Sequence, residues 1–295
     1  MEFKTIGIEN ADYPVLLREI PNAPAEIHVR GALPAAQSPA IAVVGTRKAT
    51  SAGVKIAEEM GMRLARQGLI VVSGLAMGID AAAHQGALAG GGKTIAVLGN
   101  GIDEIYPAQN ERLAERILTT GGAIISEYPP GEPSFKGNFI YRNRIISGLS
   151  VAVVVVEAPM RSGALATAGF AAEQGRSVFV IPGPITHPNY VGSHGLIRDG
   201  AILVTGASDI LGDLGLASDA GTREIGQREL PFQGELNSNE SSILEIIKTA
   251  GEPVHVDRIA ATLKLTPQQV NQALTGLLIN GLIKETNGKY EISYS

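Results

Sequence analysis

The segment at positions 40–74, AIAVVGTRKATSAGVKIAEEMGMRLARQGLIVVSG, decides the fold class. It begins and ends with short apolar runs that stop at Gly45 and Gly74, a pattern typical of buried strands. Between these runs, apolar residues recur at helical spacing, and Gly68 ends the predicted helix. A strand, a helix and a second strand in this order predict two parallel strands joined by a helical crossover.

The same alternation continues along the next part of the chain. Further strands are predicted at KTIAVLGN, AIISEY, VAVVVVEA, SVFVIPG and AILVT, and further helices at DAAAHQGALAGG, AQNERLAERILTTG, RNRIISGLS and SGALATAGFAAEQG. These strands are apolar on both faces, as in a sheet that helices cover on both sides. The predicted fold is therefore α/β, with a doubly wound, mostly parallel Rossmann-like sheet whose ligands bind at the carboxyl ends of the strands.

Composition and turn signals divide the chain into four parts. Residues 1–38 are predicted to be a lead-in segment, with a short helix and one strand, that packs on the sheet domain of residues 39–216. Residues 217–238 are polar and rich in turn formers, which predicts a linker. In residues 239–295, three predicted helices precede two short strands around Asn287-Gly288, a strong hairpin signal. This order predicts a small winged-helix domain.

The third helix of this domain, TPQQVNQALTGLLINGL, is predicted to be capped by Thr266 and to begin at Pro267. It contains no Lys or Arg, and the domain as a whole is acidic. A helix without cations gains little from contact with duplex phosphates. A role in docking a protein partner is therefore favoured, with weak binding of duplex DNA as the alternative.

Charge and composition exclude several classes of protein. The chain has no Cys, which excludes disulfides, Cys-ligated zinc and Cys nucleophiles. The formal net charge of −5 means that any binding of nucleic acid needs a local cluster of cations. No apolar segment reaches membrane-spanning length and the N-terminus lacks the pattern of a signal peptide. A cytoplasmic location with no membrane partner is expected.

No catalytic constellation is evident, and the chain is predicted not to be an enzyme. The five histidines are scattered and lack metal-ligand spacing. The P-loop-like segment GGGKT has Ala87 where that motif needs Gly, and the segment GNGIDE has Glu104 in place of the last Gly of a dinucleotide motif. We therefore predict neither a metal nor a cofactor.

Glycine and small polar residues concentrate where the predicted strands end, in VVGTRKAT, VSGLAMGID, VLGNGID, SEYPPG and IPGPITHP. Backbone N–H groups in such turns can bind anions, as can the N-termini of the helices that follow. Because several of these loops converge on one edge of the sheet, an anion site is favoured there. The alternative is that each glycine simply allows a tight turn.

Cations and aromatic rings precede the strand VAVVVVEA. Lys136 lies between Phe135 and Phe139, and Arg142 and Arg144 follow. Cations that contact phosphates beside rings that stack on bases are typical of sites for single-stranded nucleic acid. Lys136 is favoured over both arginines for direct contact with a ligand, while Phe139 is equally compatible with the core.

One of the two arginines is expected to be structural, and the sequence leaves open which one. Its predicted partner is a buried carboxylate such as Asp80 or Glu157, and Glu157 is expected to hold an arginine. Asp80 is also the predicted cap of its helix, and His84 lies four residues after it. That spacing predicts a contact between His84 and Asp80 within the helix.

Segments in consecutive order over residues 12–212 resemble the DprA/Smf family (DNA-processing protein A). They include VVGTRKATSAG, VSGLAMGIDAAAHQGAL, FIYRNRIISGLSVAVVVVEA, SGALATAGFAAEQGRSVFVIPG and GSHGLIRDGA. The resemblance implies a non-catalytic protein of natural transformation. Such a protein binds incoming single-stranded DNA, protects it from nucleases and helps to load a RecA-type recombinase. The resemblance also implies a homodimer formed through the sheet domain.

The resemblance further implies a DNA-binding pocket at the carboxyl edge of the sheet. Its predicted residues are Gly45, Thr46, Arg47, Ser73, Gly74, Gly78, Lys136, Phe139, Arg142, Arg144, Ser162 and Gly163. Thr46 stands where family members often have Ser, which keeps the hydroxyl. The N-terminal helical module common in the family is not expected here.

Two other functions are weighed against this one. Nucleotide-processing enzymes of the lysine-decarboxylase-like phosphoribohydrolase type share such a sheet and use a P-G-G-x-G-T-x-x-E loop. At the matching place, Thr167 is followed three residues later by Phe170 instead of Glu. The third possibility is a scaffold that acts mainly through the winged-helix domain.

Overall fold

The computed structural model describes residues 2–34, 38–216, 237–250, 253–263, 265–279, 282–286 and 288–292. The chain divides into two compact units, Met1–Ser218 and Asp219–Ser295. Most of the predicted linker, residues 217–236, lies outside the described residues. Within the described ranges, no helix is long and apolar enough to cross a membrane.

Nine strands of the described residues form one sheet in the first unit, in the order β1-β2-β6-β5-β4-β3-β7-β8-β9. They are β1 (Lys4–Gly7), β2 (Glu26–Gly31), β3 (Ala40–Val44), β4 (Ile70–Ser73), β5 (Thr94–Leu98), β6 (Ala123–Ser126), β7 (Ala152–Val155), β8 (Ser177–Val180) and β9 (Ile202–Leu203). The seven strands from β3 to β9 pair with one another in parallel. The predicted doubly wound, mostly parallel sheet is confirmed.

The lead-in segment supplies two strands to this sheet, where the sequence predicted one. β1 pairs with β2 in antiparallel fashion, with Lys4 opposite Val29, and β2 pairs antiparallel with β6, with His28 opposite Ser126. The sequence did not indicate β1 because only Ile6 of its four residues is buried. A strand this short is recognisable only from the neighbour with which it pairs.

Helices cover both faces of the sheet. They are α1 (Val15–Arg18), α2 (Ser51–Arg66), α3 (Ile79–Ala89), α4 (Glu111–Thr119), α5 (Lys136–Gly148), α6 (Gly163–Glu173), α7 (Val191–Arg198) and α8 (Ala207–Asp213). Side chains alternate along each strand, so Ala42 and Val44 of β3 pack with α5 and α6 while Ile41 and Val43 pack with α2 and α3. This double burial explains the continuous apolar runs in the sequence.

The connectivity places one special point in the sheet. From β3 the chain proceeds outward through β4, β5 and β6, and it then returns to form β7 on the other side of β3. β3 and β7 are therefore the neighbours at which the order of the strands reverses. In doubly wound sheets, the crevice at the carboxyl ends of such a pair is where ligands bind.

Helix α5 differs from its prediction. The sequence indicated a short helix at residues 142–150, whereas α5 begins at Lys136 and ends at Gly148. Gly137 and Asn138, which are poor helix formers, hid its first two turns. Phe139 and Arg142 therefore lie on the helix, and Lys136 is its first residue at the carboxyl edge of the sheet.

The second unit has the predicted winged-helix order. Its helices are α9 (Ser238–Ala250), α10 (Val256–Leu263) and α11 (Pro267–Ile279), and its strands β10 (Val254–His255), β11 (Ile283–Thr286) and β12 (Lys289–Ile292) form a sheet in the order β10-β12-β11. The predicted start of α11 is confirmed. The Thr266 hydroxyl accepts from the Gln269 N–H at 3.4 Å, while the Gln269 amide oxygen accepts from the Thr266 N–H at 3.0 Å. Of the predicted hairpin turn, Asn287 lies outside the described residues.

Candidate nucleic-acid interface

A cavity of about 690 Å³ opens at the carboxyl edge of the sheet, at the β3–β7 switch point. The loops that follow β3, β4, β5, β6 and β7 all contribute to it, through Arg47, Ala76, Tyr106, Ser134 and Arg161 respectively. A smaller cavity of about 100 Å³ also has Arg47, Tyr106 and Phe139 in its lining. The cavities thus lie where the topology predicts a ligand site.

Nine of the twelve residues predicted for the pocket line these cavities. They are Gly45, Thr46, Arg47, Gly74, Lys136, Phe139, Arg142, Ser162 and Gly163. Ser73 does not, because it is fully buried and its hydroxyl donates to the Val43 carbonyl at 2.7 Å. Gly78 does not line the cavities either, but its backbone packs against the loop that contains Thr46. Its φ of 80° suits glycine, and a Cβ there would lie 2.5 Å from the Thr46 carbonyl oxygen.

Arg144, the remaining predicted residue, makes structural contacts within the protein and does not line either cavity. Its side chain is 3% exposed and forms a paired contact with Glu127, including an Nη1–Oε2 distance of 2.9 Å. Its Nε donates to the Asn22 carbonyl at 3.0 Å, and its guanidinium lies 3.7 Å from the centre of the Tyr141 ring. Arg144 therefore ties α5 to β6 and to the lead-in segment. Its carboxylate partner is neither of the two that the sequence suggested.

Arg142 lines both cavities, but its guanidinium is fixed by hydrogen bonds to the backbone. It is 4% exposed, and its Nη1 donates to the Gly74 carbonyl at 3.0 Å and to the Val97 carbonyl. Burial lowers the pKa of Arg142 to about 10, the Asp80 charge works against this shift, and Arg47 adds to it. Arg142 is thus a buried cation behind the pocket wall.

Three exposed cations lie at the rim of the larger cavity. Arg47 and Lys136 were predicted, whereas Arg161, in the loop after β7, was not. Its backbone is left-handed, with φ of 59°. The available signal was its position just after a predicted strand, in the segment VVVEAPMRSG. Three cations on one rim give this acidic chain a local basic surface.

An aromatic pair adjoins these cations. The rings of Phe139 and Tyr106 have their centres 5.2 Å apart, and the Arg47 guanidinium lies 5.7 Å from the centre of the Phe139 ring. Phe139 is half-buried, so it is both a wall of the pocket and a surface that a ligand can reach. Tyr106, which the sequence analysis missed, is 42% exposed. It too follows a predicted strand end.

Asp80 has a different role from the predicted helix cap. Helix α3 begins at Ile79 and its cap is Gly78. The Asp80 carboxylate accepts from the backbone N–H groups of Gly74 at 3.1 Å and Ala76 at 3.4 Å, on either side of Leu75, whose φ is 55°. Burial raises the pKa of Asp80, and the Arg142 charge and the backbone donors oppose that rise. The turn after β4 is thus an anion nest filled by the protein itself.

Contrary to expectation, Glu157 pairs with no arginine among the residues that the structure describes. It is fully buried, and it accepts from the Thr50 N–H at 3.1 Å, the Asn189 amide at 2.8 Å, the Tyr190 hydroxyl at 3.2 Å and the Thr50 hydroxyl. Burial alone would raise the pKa of Glu157, but these hydrogen bonds outweigh it and lower the pKa. Thr50 is the cap of α2, so the carboxylate occupies the N-terminus of that helix.

His84 contacts Thr94 instead of the predicted Asp80. Its Nδ1 lies 2.7 Å from the Thr94 hydroxyl, which donates to the Val71 carbonyl, so Nδ1 is the donor to Thr94. Burial, followed by the Arg142 charge, lowers the pKa of His84 to about 3. Among the residues that the structure describes, no group of three or more His, Asp or Glu side chains could hold a metal ion.

Comparison with known families and sequences gives matches over both units. A model of the family described as DNA recombination-mediator protein A matches residues 4–215, and a model of the DprA winged helix domain matches residues 231–289. The chain is 48% identical over 209 residues to Protein Smf from Escherichia coli strain K12, which covers 71% of this chain and 56% of that protein. It is 46% identical over 212 residues to DNA processing protein DprA from Streptococcus pneumoniae strain R6, which covers 72% of this chain and 74% of that protein.

Two solved structures resemble the first unit. The X-ray structure of DNA processing protein A from Streptococcus pneumoniae matches with a TM-score of 0.68 and 45% identity, over 72% of this chain and 75% of that one. A structure that addresses the single-stranded DNA binding mode of DNA processing protein A from Helicobacter pylori matches with a TM-score of 0.65 and 27% identity. It covers 72% of this chain and 96% of that one.

Proposed function

The chain belongs to the DNA recombination-mediator protein A family, and from this premise we propose that it binds single-stranded DNA in the cavity at the β3–β7 switch point. The resemblance to the DprA/Smf family is confirmed. The observation that carries the proposal is the convergence of Arg47, Lys136 and Arg161 around the Phe139–Tyr106 pair. Cations placed beside accessible rings suit a strand whose phosphates and unpaired bases are both exposed.

A paired duplex fits this surface less well. Its bases are stacked on one another, so the rings of Phe139 and Tyr106 would have no free base face to contact. The relative from Helicobacter pylori supports the preference, because its structure concerns the binding of single-stranded DNA. The cavity is also a concave site of limited size, whereas duplex binding usually needs an extended basic face.

The experiment that tests the proposal measures binding of labelled oligo-dT by fluorescence anisotropy, with a duplex of equal length beside it. Arg47→Glu and Lys136→Glu should each weaken oligo-dT binding by about tenfold or more, because each removes a charged contact worth about 1.5–3 kcal/mol. Lys48→Glu is the matched control, since Lys48 is exposed next to Arg47 but outside the lining of both cavities. Normal binding by both pocket variants would refute the site.

Salt dependence offers a second measure of the same site. Each phosphate contact on single-stranded DNA contributes about −0.7 to the slope of log affinity against log salt concentration. Three rim cations therefore predict a slope of about −2, and removal of one should make it shallower by about 0.7. A slope that stays unchanged in Arg47→Glu would mean that this residue does not contact a phosphate.

We further propose that the protein acts in natural transformation, where it protects incoming single-stranded DNA and helps to load a RecA-type recombinase. Its family membership as a recombination mediator supports this role. The expected outcome is faster onset of DNA-dependent ATP hydrolysis by the recombinase on oligonucleotides covered with a single-strand-binding protein. Arg47→Glu should abolish the effect, whereas Lys48→Glu should retain it.

A homodimer formed through the sheet domain is also proposed. Its support is the edge strand β9, where Ile202 and Leu203 remain 42% and 49% exposed. Exposed apolar residues on a sheet edge are a surface that a second copy can cover. Sedimentation equilibrium should give a dimer for the wild type and a monomer for Leu203→Glu. A wild-type monomer at high concentration would contradict the proposal.

The alternative of a nucleotide-processing enzyme is not favoured. In α6, Thr167 donates its hydroxyl to the Gly163 carbonyl at 3.1 Å, and Phe170 stands where those enzymes have Glu. We propose a non-enzymatic role, which the absence of base release from AMP would support. For the winged-helix domain we propose a protein partner, because α11 carries no Lys or Arg.

A further inference from the structure

Two backbone anion sites next to the cavity are already filled by carboxylates of the chain. The Asp80 carboxylate accepts hydrogen bonds from the N–H groups of Gly74 and Ala76 in the turn after β4. The Glu157 carboxylate accepts a hydrogen bond from the N–H of Thr50 at the start of α2, the helix that follows β3. In doubly wound folds, the loop and helix after the first strand of the crossover are where nucleotide phosphates bind.

The fit around Glu157 leaves no room for a second anion. A Cβ placed on Gly53, in the first turn of α2, would lie 2.3 Å from the Glu157 carboxylate. In the loop before α2, the Thr46 N–H donates to the Glu157 carbonyl at 2.8 Å, and the Lys48 N–H donates to the Thr46 hydroxyl at 3.2 Å. The N–H groups of Thr46, Lys48 and Thr50 are therefore engaged within the protein, and of the two exposed cations on this loop only Arg47 lines the cavity.

The two carboxylates differ in how their charge is balanced. A Cβ on Gly74 would lie 2.7 Å from Arg142 Nη2 and 2.8 Å from Asp80 Oδ2, so both groups approach the same side of Gly74, and the Arg142 charge partly balances that of Asp80. Within the part of the chain that the structure describes, Glu157 accepts from four neutral donors and forms no ion pair, so no cation there balances its negative charge beside the loop that follows β3. Repulsion scales with the charge of an incoming anion. An internal phosphodiester carries one negative charge, whereas a terminal phosphate carries about 1.5 to 2 at neutral pH.

We infer, on the basis of the proposed function, that Asp80 and Glu157 are specificity-determining residues of the DNA site. Both occupy places where this kind of fold holds the phosphates of free nucleotides, and the unbalanced charge of Glu157 repels multiply charged phosphate groups. The cavity therefore selects the singly charged phosphodiesters of a polynucleotide strand, and cellular nucleoside triphosphates do not compete for it.

Two substitutions each remove one charge with almost no change in the shape of the side chain. In Glu157→Gln, the amide oxygen can accept from the Thr50 N–H and from Asn189, while the amide NH₂ faces the hydroxyls of Thr50 and Tyr190, which can accept. In Asp80→Asn, the amide oxygen can still accept from both backbone N–H groups. Glu59→Gln is the matched control, since Glu59 is an exposed carboxylate on α2 that pairs with Arg63.

The experiment displaces labelled oligo-dT from the full-length protein with pyrophosphate or ATP at constant ionic strength. The wild type and Glu59→Gln should resist millimolar competitor. Glu157→Gln should release the oligonucleotide at a pyrophosphate concentration at least about tenfold lower than the wild type requires, because one repulsive charge is gone. Displacement of the wild type by pyrophosphate at low concentration, or identical curves for wild type and Glu157→Gln, would overturn the inference.

The design separates this inference from the proposed function. If the wild type did not bind oligo-dT, the proposed function would fail, and titration calorimetry with pyrophosphate alone would then decide the inference. It predicts heat of binding for Glu157→Gln and none for the wild type. If thermal melting showed that Glu157→Gln does not fold, Asp80→Asn would take its place in both assays. Loss of the Asp80 charge leaves the Arg142 guanidinium unbalanced at the cavity and should shift the competition in the same direction.

Discussion

The guanidinium of Arg47 lies over the ring of Phe139, with its Cζ atom 5.7 Å from the ring centre. Arg47 belongs to the loop after β3 and Phe139 to helix α5, so this contact joins two elements that line both cavities. The pair places a charged group and an apolar face side by side. Under the proposed function, one nucleotide would place its phosphate against Arg47 and its base against Phe139.

The first prediction concerns the ring of Phe139. Phe139→Ala should weaken oligo-dT binding by about 1–3 kcal/mol, the contribution of one stacked base, whereas Phe139→Tyr should bind nearly as the wild type does. Fluorescence anisotropy measures both. Phe135→Ala is the control, because Phe135 is exposed at the start of α5 but outside the lining. Equal losses in Phe135→Ala and Phe139→Ala would indicate a general effect on α5 and not stacking.

The second prediction concerns Arg161, which only the structure brought to the site. Arg161→Asn removes the charge and keeps a residue that tolerates φ of 59°. Loss of one charged phosphate contact should weaken oligo-dT binding by about tenfold or more. Arg66→Asn, at the opposite end of α2 from the cavity, should bind as the wild type does. An unchanged affinity in Arg161→Asn would remove this residue from the interface.

The third prediction separates Arg144 from the DNA site. Arg144→Ala leaves Glu127 without its partner in a mostly buried contact, which should lower the free energy of unfolding by about 3 kcal/mol. Arg144→Lys should recover only part of this, because lysine cannot form the paired contact. Urea unfolding measures the loss. Folded Arg144→Ala should still bind oligo-dT, and a selective loss of binding would contradict the structural role.

The fourth prediction is a pH dependence of stability that comes from His84. Its pKa falls from 6.5 to about 3 on folding, so the unfolded chain takes up the proton first as the pH drops below 6.5. Titration of His84 therefore leaves the free energy of unfolding unchanged above pH 6.5 and lowers it progressively as the pH falls toward 3. Between pH 6.5 and pH 5 the loss from this group should be about 2 kcal/mol.

His84→Gln removes this titration and provides the test. Urea unfolding at pH 7 and at pH 5 gives the change in the free energy of unfolding for each protein, and that change should be smaller in the variant by about 2 kcal/mol. The comparison cancels contributions from the other titrating groups that both proteins share. Identical changes in wild type and variant would mean that His84 is not held neutral by the fold.

Much of the architecture could be predicted from local patterns. Short apolar runs indicated every strand from β3 to β9, and those from β3 to β7 are almost entirely apolar because they are buried on both faces. The glycine-rich strand ends indicated the edge of the sheet at which the cavity opens, and Arg47, Lys136 and Phe139 line that cavity. The first turns of α5 were missed, since Gly137 and Asn138 are weak helix formers that only tertiary packing holds in a helix.

The partners of buried charges could not be predicted. The sequence offered Asp80 and Glu157 as partners for either arginine, whereas Arg144 pairs with Glu127 and Glu157 binds neutral donors. These contacts join segments far apart in the chain, and many carboxylates satisfy the same sequence pattern. The same reason hid the two filled anion sites, because a glycine-rich turn has the same sequence whether a ligand or a side chain occupies it.

The sequence by itself determined the order of strands and helices, the edge of the sheet that carries the loops, and the residue types available there. Periodicity and turn chemistry act over a few residues, so they can be recognised without the fold. The tertiary structure alone decided which cations face the cavity. It pairs Arg144 with Glu127, away from the lining, and it brings Arg161 and Tyr106 to the rim. It also decided that Asp80 and Glu157 fill the backbone anion sites, because contacts between distant segments exist only once the parallel strands have brought their carboxyl ends together.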